Sequence, residues 1–304
     1  MTHSLYMRAE RLSDFAILHD LHIRAFDNHS AEAVLVALLR TRQQYDPQLS
    51  LIAEIDGVIV GHALFNPMSI YLDGQVVPIV NLAPLAVHPD YQKQGIGGHL
   101  MQAGHAIAQD KGYDCSILLG HPDYYPRYGY HLGAYGVSDL TIETDTLPSL
   151  DFTTRTPLSN DLSALAQLHH ENEHQVNLST IPENTLAEWL SAHPSVPCTV
   201  YHYQDELVGY TRGTADTVRL FIAKPDFAPA IAKHLAGDAT TITLPLHPQS
   251  LCASVFERVP DVKTWQAAMI HPFSDDAIVQ GYLRHVADGG LIGRVIWSSV
   301  FDIA

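Results

Sequence analysis

A chain of 304 residues, 46% of them hydrophobic, can bury a sizeable core and exceeds one ordinary domain, so two domains are expected. With 17 basic against 33 acidic residues the formal charge is −16, which argues against nucleic acid or an anionic membrane as partner and would favour a cationic substrate. Cys115, Cys198 and Cys252 make no C-x-x-C pair, no apolar run approaches the roughly 18 residues of a bilayer span, and no basic leader with an apolar core opens the sequence; a reducing cytoplasm is the expected home.

In chain order, residues 5–8 read as a short strand, and Ser13-Asp14 caps a helix with Phe15, Ile17, Leu18, Leu21 and Phe26 on its apolar face. A second helix is expected after Ser30, with Val34, Val36, Leu38 and Leu39 apolar. Residues 51–55 form a strand, Asp56-Gly57 turns it into residues 58–65, and Asp73-Gly74 makes another turn into residues 76–85. Ile79, Val80, Leu82, Leu85, Ala86 and Val87 give this last strand the apolar run of a buried position. A polar turn over 88–94, a helix over 99–111 and a further buried strand over 113–119 follow.

Gly95, Gly97 and Gly98 open the helix, where backbone N–H groups lack intrahelical acceptors and the dipole favours an anion. Glycine also lets the backbone approach that anion closely. A dinucleotide fingerprint fits less well, because its last glycine falls on Leu100 and no acidic ribose-binding residue is evident at a strand end about twenty residues on.

Gln92-x-x-Gly95-x-Gly97 resembles the Q/R-x-x-G-x-G/A signature of the GNAT acetyltransferase superfamily, and Tyr125, Gly129 and Tyr130 match its later Y-x-x-x-G-F/Y segment. The resemblance covers roughly the first 135 residues, in the family's order. It implies an α/β fold with a central mixed, mostly antiparallel sheet flanked by helices. Acetyl-CoA would be the cosubstrate and a primary amine the acceptor, attacking directly in a ternary complex. Carried onto this chain, the pantetheine would lie against the backbone of Leu85, Ala86 and Val87, and the pyrophosphate on Gln92, Lys93, Gln94, Gly95, Ile96, Gly97 and Gly98. Val87 N–H would stabilise the oxyanion, and Tyr125 would protonate the departing thiolate, with Tyr124 and Tyr128 as packing.

No Asp or Glu lies on the strand 79–87 where many such enzymes carry a base, which leaves Glu54 and His121 as candidates. The acceptor site is expected near residues 26–45, where Asp27, Glu32 and Asp46 are available for a cation. A small-molecule amine is the first choice, and a protein lysine or N-terminal amine is the rival. Tandem GNAT-like proteins of the enhanced-intracellular-survival type, whose full architecture this chain is too short to match, bring the C-terminus toward the acceptor site, and the ending at residues 300–304 would suit such burial. A homo-oligomer stays open.

Beyond residue 145 the pattern R-x5-D-x3-L-x2-L-H of Arg8 to His22 returns from Arg155 to His169, with five identities in fifteen positions. Pro89-Asp90-Tyr91 has a counterpart in Pro225-Asp226-Phe227, followed by no Q-x-x-G-x-G. The expectation is a catalytic domain at 1–145 and a degenerate, smaller GNAT-like domain at 146–304. Two competing readings remain. One is a non-catalytic acyl-CoA sensor. The other is a zinc peptidase, because His170-Glu171-Asn172-Glu173-His174 spells H-E-x-x-H, with Glu183 or Glu188 conceivable as third ligand. The polar pair between the histidines suits a solvated helix end better, so no metal is expected.

Overall fold

The computed structural model describes residues 4–273 and 275–303. Strand β1 (Leu5–Ala9) leads into α1 (Phe15–Ala25) and α2 (Ala31–Leu39). Strands β2 (Ser50–Ile55), β3 (Val58–Leu72) and β4 (Gln75–Val87) form a meander, followed by α3 (Ile96–Asp110) and β5 (Cys115–Leu119). Then come β6 (Gly136–Glu143), β7 (Thr153–Arg155), α4 (Leu162–Glu173), β8 (Leu178–Ile181), β9 (Cys198–Tyr203), β10 (Glu206–Thr214) and β11 (Thr217–Ala223). The described chain continues through α5 (Ala228–Ala236), β12 (Thr241–Leu244), β13 (Asp261–Thr264), β14 (Ala268–Pro272) and α6 (Ala277–Ala287).

Among the described residues, a seven-stranded sheet runs β1-β2-β3-β4-β5-β14, with β8 paired to the far half of β3. Its β4–β5 pairing is parallel and the others are antiparallel. The two expected hairpins turn through Asp56-Gly57 (φ 51° and 78°) and Asp73-Gly74 (φ 48° and 77°), left-handed pairs whose twist suits tight antiparallel connections. Hydrogen bonding crosses residue 145 in both directions: β8 and β14 complete the first sheet, while β6 lies between β12 and β13. Strands β7, β9, β10 and β11 form a third sheet.

Helix α3 covers one face of the large sheet, where Ile96, Leu100 and Met101 pack with Val60, Phe65, Val80 and Leu118. Helix α1 buries Leu18, Leu21 and His22, whose i, i+3, i+4 spacing makes one stripe, and leaves Ile17 52% exposed. Val34 of α2 is likewise exposed, and Leu35 takes its place inside. Both corrections follow from the 3.6-residue period: Ile17 and Val34 lie off the stripe that faces the sheet.

Beneath α1 and α2 lies a buried polar chain. His22 Nε2 lies 2.8 Å from His62 Nδ1, and His62 Nε2 lies 2.8 Å from Ser50 Oγ. Glu10 accepts two bonds from Arg40, at 2.9 and 2.6 Å, and one from the Tyr45 hydroxyl. Burial pushes the pKa of His22 down to about 2 and that of His62 down to about 3, so both imidazoles are neutral.

Candidate active site between the halves

Strands β4 and β5 pair only at Ile79–Asn81 with Cys115–Ile117 and then diverge. The opposite edge of β5 is paired to β14 over its whole length, so Leu118 and Leu119 keep that partner where β4 departs. His88 N–H donates to Val60 O across β3 at 2.9 Å, so the alternation of a strand turns the Leu85 and Val87 backbone groups toward the opened gap and those of Ala86 toward His62. Val87 O on that edge accepts from Gln92 Nε2 at 3.1 Å, which ties the turn to the strand. Gln94 Nε2 likewise reaches Asp90 O at 3.3 Å.

The turn is built for close backbone approach. Lys93 has φ 61° and Gly95, at the N-cap, φ 84°, a conformation that disfavours a side chain. Helix α3 starts at Ile96, three residues earlier than the sequence suggested, and the first loop-to-helix bond is His99 N to Gly95 O at 3.1 Å. Gly97 and Gly98 therefore stand in the first turn, where N–H groups have no intrahelical acceptor. A Cβ on Gly97 would lie 2.7 Å from the Tyr124 hydroxyl, with Leu85 and Val87 side chains just beyond.

Tyr125 is largely enclosed, its ring edge-on to Tyr124 at 5.1 Å and to Tyr130 at 5.7 Å. Burial pushes its pKa up to about 12, so the phenol keeps its proton. Two other tyrosine hydroxyls stand against the first turn of α3, that of Tyr124 beside Gly97 and that of Tyr128 beside Gly98, although both residues are expected from sequence as packing. Glu54 is engaged elsewhere: on β2, two strands from the gap, it accepts from Arg8 at 2.6 Å. His121 is exposed at the head of the tyrosine segment. Asp46 is held by Lys111 at 2.8 Å and caps Gln48 N–H, while Asp27 is exposed in a left-handed turn.

Where β4 and β5 part, a cavity of about 600 Å³ opens against the second half of the chain. First-half residues Leu35, Asn81, Leu82, Ala83 and Leu119 form one wall. Arg212, Arg219, Arg294, Trp297, Phe301 and Asp302 form the other. None of these polar residues was singled out from sequence. Asn81 had one legible signal: it is the lone polar side chain in the apolar run 79–87. Phe301 and Val300 pack against α2, in line with the expected burial of that segment.

The H-E-x-x-H segment has another role. Asn172 and Glu173 are buried rather than solvated, because α4 turns that face inward against the second half. Glu173 pairs with Arg294 at 2.6 Å, which helps hold its carboxyl below the ordinary range against the opposing effect of burial. His170 Nδ1 lies 2.9 Å from the Tyr71 hydroxyl and His174 Nδ1 2.8 Å from His170 O. Glu183 and Glu188 face Arg42 at 3.1 and 3.3 Å, so neither serves the histidines as a third ligand. Among the described residues no group of three His, Cys, Asp or Glu could hold a metal ion, and no helix is long and apolar enough to cross a membrane.

A glycine turn opening α3 beside splayed, initially parallel β4 and β5 defines the acetyltransferase fold that the motifs implied. Residues 7–133 match the family described as "Acetyltransferase (GNAT) domain". The chain is similar to the Escherichia coli protein named "Uncharacterized N-acetyltransferase YjhQ", 40% identical over 120 residues, which are 39% of this chain and 65% of that protein. The matched part thus spans just under two thirds of that relative's length. Two solved structures share the fold across both halves. A GCN5-related N-acetyltransferase from Kribbella flavida has 19% identity and a TM-score of 0.70, over 88% of this chain and 71% of the other. Eis1 from Mycobacterium abscessus has 18% identity and a TM-score of 0.63, over 90% and 75%. The family match thus covers residues 7–133, and over the rest of the chain the likeness to solved structures is one of fold.

Proposed function

We propose that the protein is an acetyl-CoA-dependent N-acetyltransferase whose acceptor is a small-molecule primary amine. The observation that carries this reading is the parting of β4 from β5, which leaves the Leu85 and Val87 backbone edge without a strand partner beside the glycine turn. That edge and the N–H groups of Ile96, Gly97 and Gly98 fit a pantetheine and a pyrophosphate respectively. When bound, acetyl-CoA supplies the activated acyl group. Val87 N–H is turned to receive the oxyanion that forms when the amine attacks. Tyr125, kept protonated by burial, donates its proton to the leaving sulfur. The cavity between the halves favours a small acceptor over a protein substrate, since its volume is that of a ligand pocket.

The second half is read as a degenerate copy of the first that shapes the acceptor site and binds no CoA. Three buried, unpaired thiols suit a reducing cytoplasm. Calorimetric titration with acetyl-CoA, followed on the same sample by thiol release against a panel of amines, tests the reading. Binding with release supports the enzyme. Binding without release from any amine favours an acyl-CoA sensor, and absence of binding refutes both.

A further inference from the structure

The inter-half cavity has a charge arrangement that speaks to the acceptor's chemistry, and this inference rests on the acetyltransferase reading. Asn81 is 1% exposed, and neither its Oδ1 nor its Nδ2 has a hydrogen-bond partner among the described residues. Its cross-strand neighbour Asn66, 0% exposed and on the same face, is equally unpartnered. A buried amide left unmatched is costly, so Asn81, the member of the pair that lines the cavity, marks a place where a ligand or water completes the bonding. Asn81 is also the last β4 residue paired to β5, which puts it at the mouth of the gap.

At the other wall, guanidinium groups outnumber their carboxylate partners. Arg294 is taken by Glu173. Arg212 and Arg219 share one carboxylate, Asp302, at 3.7 and 3.2 Å, and Arg212 also donates to Trp297 O at 2.6 Å. Arg212 Nε and Asp302 Oδ2 are buried without hydrogen bonds, and Arg219 keeps 35% of its side chain exposed. Asp139, half-buried on β6, is the cavity's second carboxylate and makes no ion pair with these arginines. Trp297, Phe301 and Leu35 supply apolar wall between the polar ends.

We propose that the acceptor is an amine that also carries a carboxylate, an amino-acid-like molecule whose anionic group seats on Arg219 and Arg212 while the Asn81 amide orients the reacting nitrogen at the gap. One carboxylate shared by two guanidinium groups leaves capacity for a second anion, and an arginine fork binds a carboxylate at two points. A simple polyamine would meet like charge at this wall.

The test uses matched pairs that differ only in the carboxylate, with the reacting amine a chain's length from it: 5-aminopentanoic acid with butylamine, 6-aminohexanoic acid with pentylamine, and L-lysine with cadaverine. Each is titrated into the full chain with CoA present, after acetyl-CoA binding has been measured on the same preparation. The carboxylated member should bind roughly tenfold or more tightly in at least one pair, and Arg219→Gln should erase that preference. Asn81→Leu should weaken binding of both members together, with an unchanged melting curve showing that the variant is folded. Equal or tighter binding of the decarboxylated members, failure of every carboxylated member to bind, or a preference that survives Arg219→Gln would each overturn the proposal. Failure of acetyl-CoA itself to bind would remove the underlying reading as well, so the two failures are told apart by the first titration.

Discussion

The two halves enter their helices by the same route and part company within a few residues. In the first, His88 N–H bonds Val60 O and Gly61 stands opposite Val87; in the second, Lys224 N–H bonds Val208 O and Gly209 stands opposite Ala223. Each strand then enters a short 3-10 turn, Pro89–Tyr91 or Pro225–Phe227. The first half inserts Gln92 to Gly95 before its helix, whereas Ala228 begins α5 at once and Pro229 removes an N–H. The neighbouring edges differ as well. Ala223 O is filled by Asn172 Nδ2 at 3.0 Å, and Cys252 is bonded to Asn172 beside it, while the Leu85–Val87 edge opens on the gap. The proposed anion site thus rests on four added residues and an unplugged strand edge, on a scaffold that both halves share.

The largest expected effect comes from charging the first turn of α3. Gly97→Glu places a carboxylate where a pyrophosphate would lie and should reduce acetyl-CoA affinity by more than about 100-fold in calorimetry. Pro229→Glu, at the matching turn of α5, should leave that affinity unchanged. Equal losses from both would erase the asymmetry. Next, Tyr125→Phe should lower kcat by about 100-fold or more with little change in acetyl-CoA affinity, the signature of a proton donor. If Tyr124→Phe or Tyr128→Phe shows the larger kcat loss instead, a hydroxyl beside the glycine turn is the acid.

The motif-bearing parts of this comparison were legible because they are local. The glycine spacing, the hairpin dipeptides Asp56-Gly57 and Asp73-Gly74, and the R-x5-D repeat each encode backbone geometry within a few residues. The cavity was not legible, since Arg212, Arg219 and Asp302 reach it from sequence positions more than a hundred residues beyond Asn81. Polar residues of α4 misled for the same reason. Asn172 and Glu173 look solvent-facing until the tertiary partners Ala223, Arg294 and Ser250 bury them. Glu54 misled as a base candidate because nothing local announces that Arg8 takes it.

Acid should act first where two buried imidazoles touch. His22 on α1 and His62 on β3, in contact, are held neutral by burial with pKa values lowered to about 2 and 3; His105 falls to about 3, and in the second half His169 falls to about 4 while His247 and His271 are lowered as well. The unfolded chain binds more protons than the folded one between these values and about pH 6.5. Stability is therefore fully present above about pH 6.5 and falls as the pH drops, by up to roughly 2 kcal/mol per such imidazole at pH 5. Amide exchange at pH 5 against pH 7.5 should show β3 and α1 losing protection before α4. Uniform loss would mean that the halves unfold as one unit.

The smallest effect compares the repeated ion pair at the head of each half. Arg8 grips Asp14 at 2.7 and 3.2 Å, and Arg155 grips Asp161 at 2.6 and 2.8 Å; each aspartate also accepts a backbone N–H at 2.7 Å, from Arg11 or Leu158. The surroundings differ. The Arg8 side chain is 13% exposed and also bonded to Glu54, while that of Arg155 is 37% exposed. Removing Asp14 leaves a nearly buried guanidinium with one carboxylate, Glu54, and the Ala9 carbonyl, whereas Arg155 can turn into solvent. Asp14→Asn should therefore cost about 2–3 kcal/mol in denaturant unfolding and Asp161→Asn about 1 kcal/mol or less. The reverse order would show that the second pair, despite its exposure, is the one that organises its half.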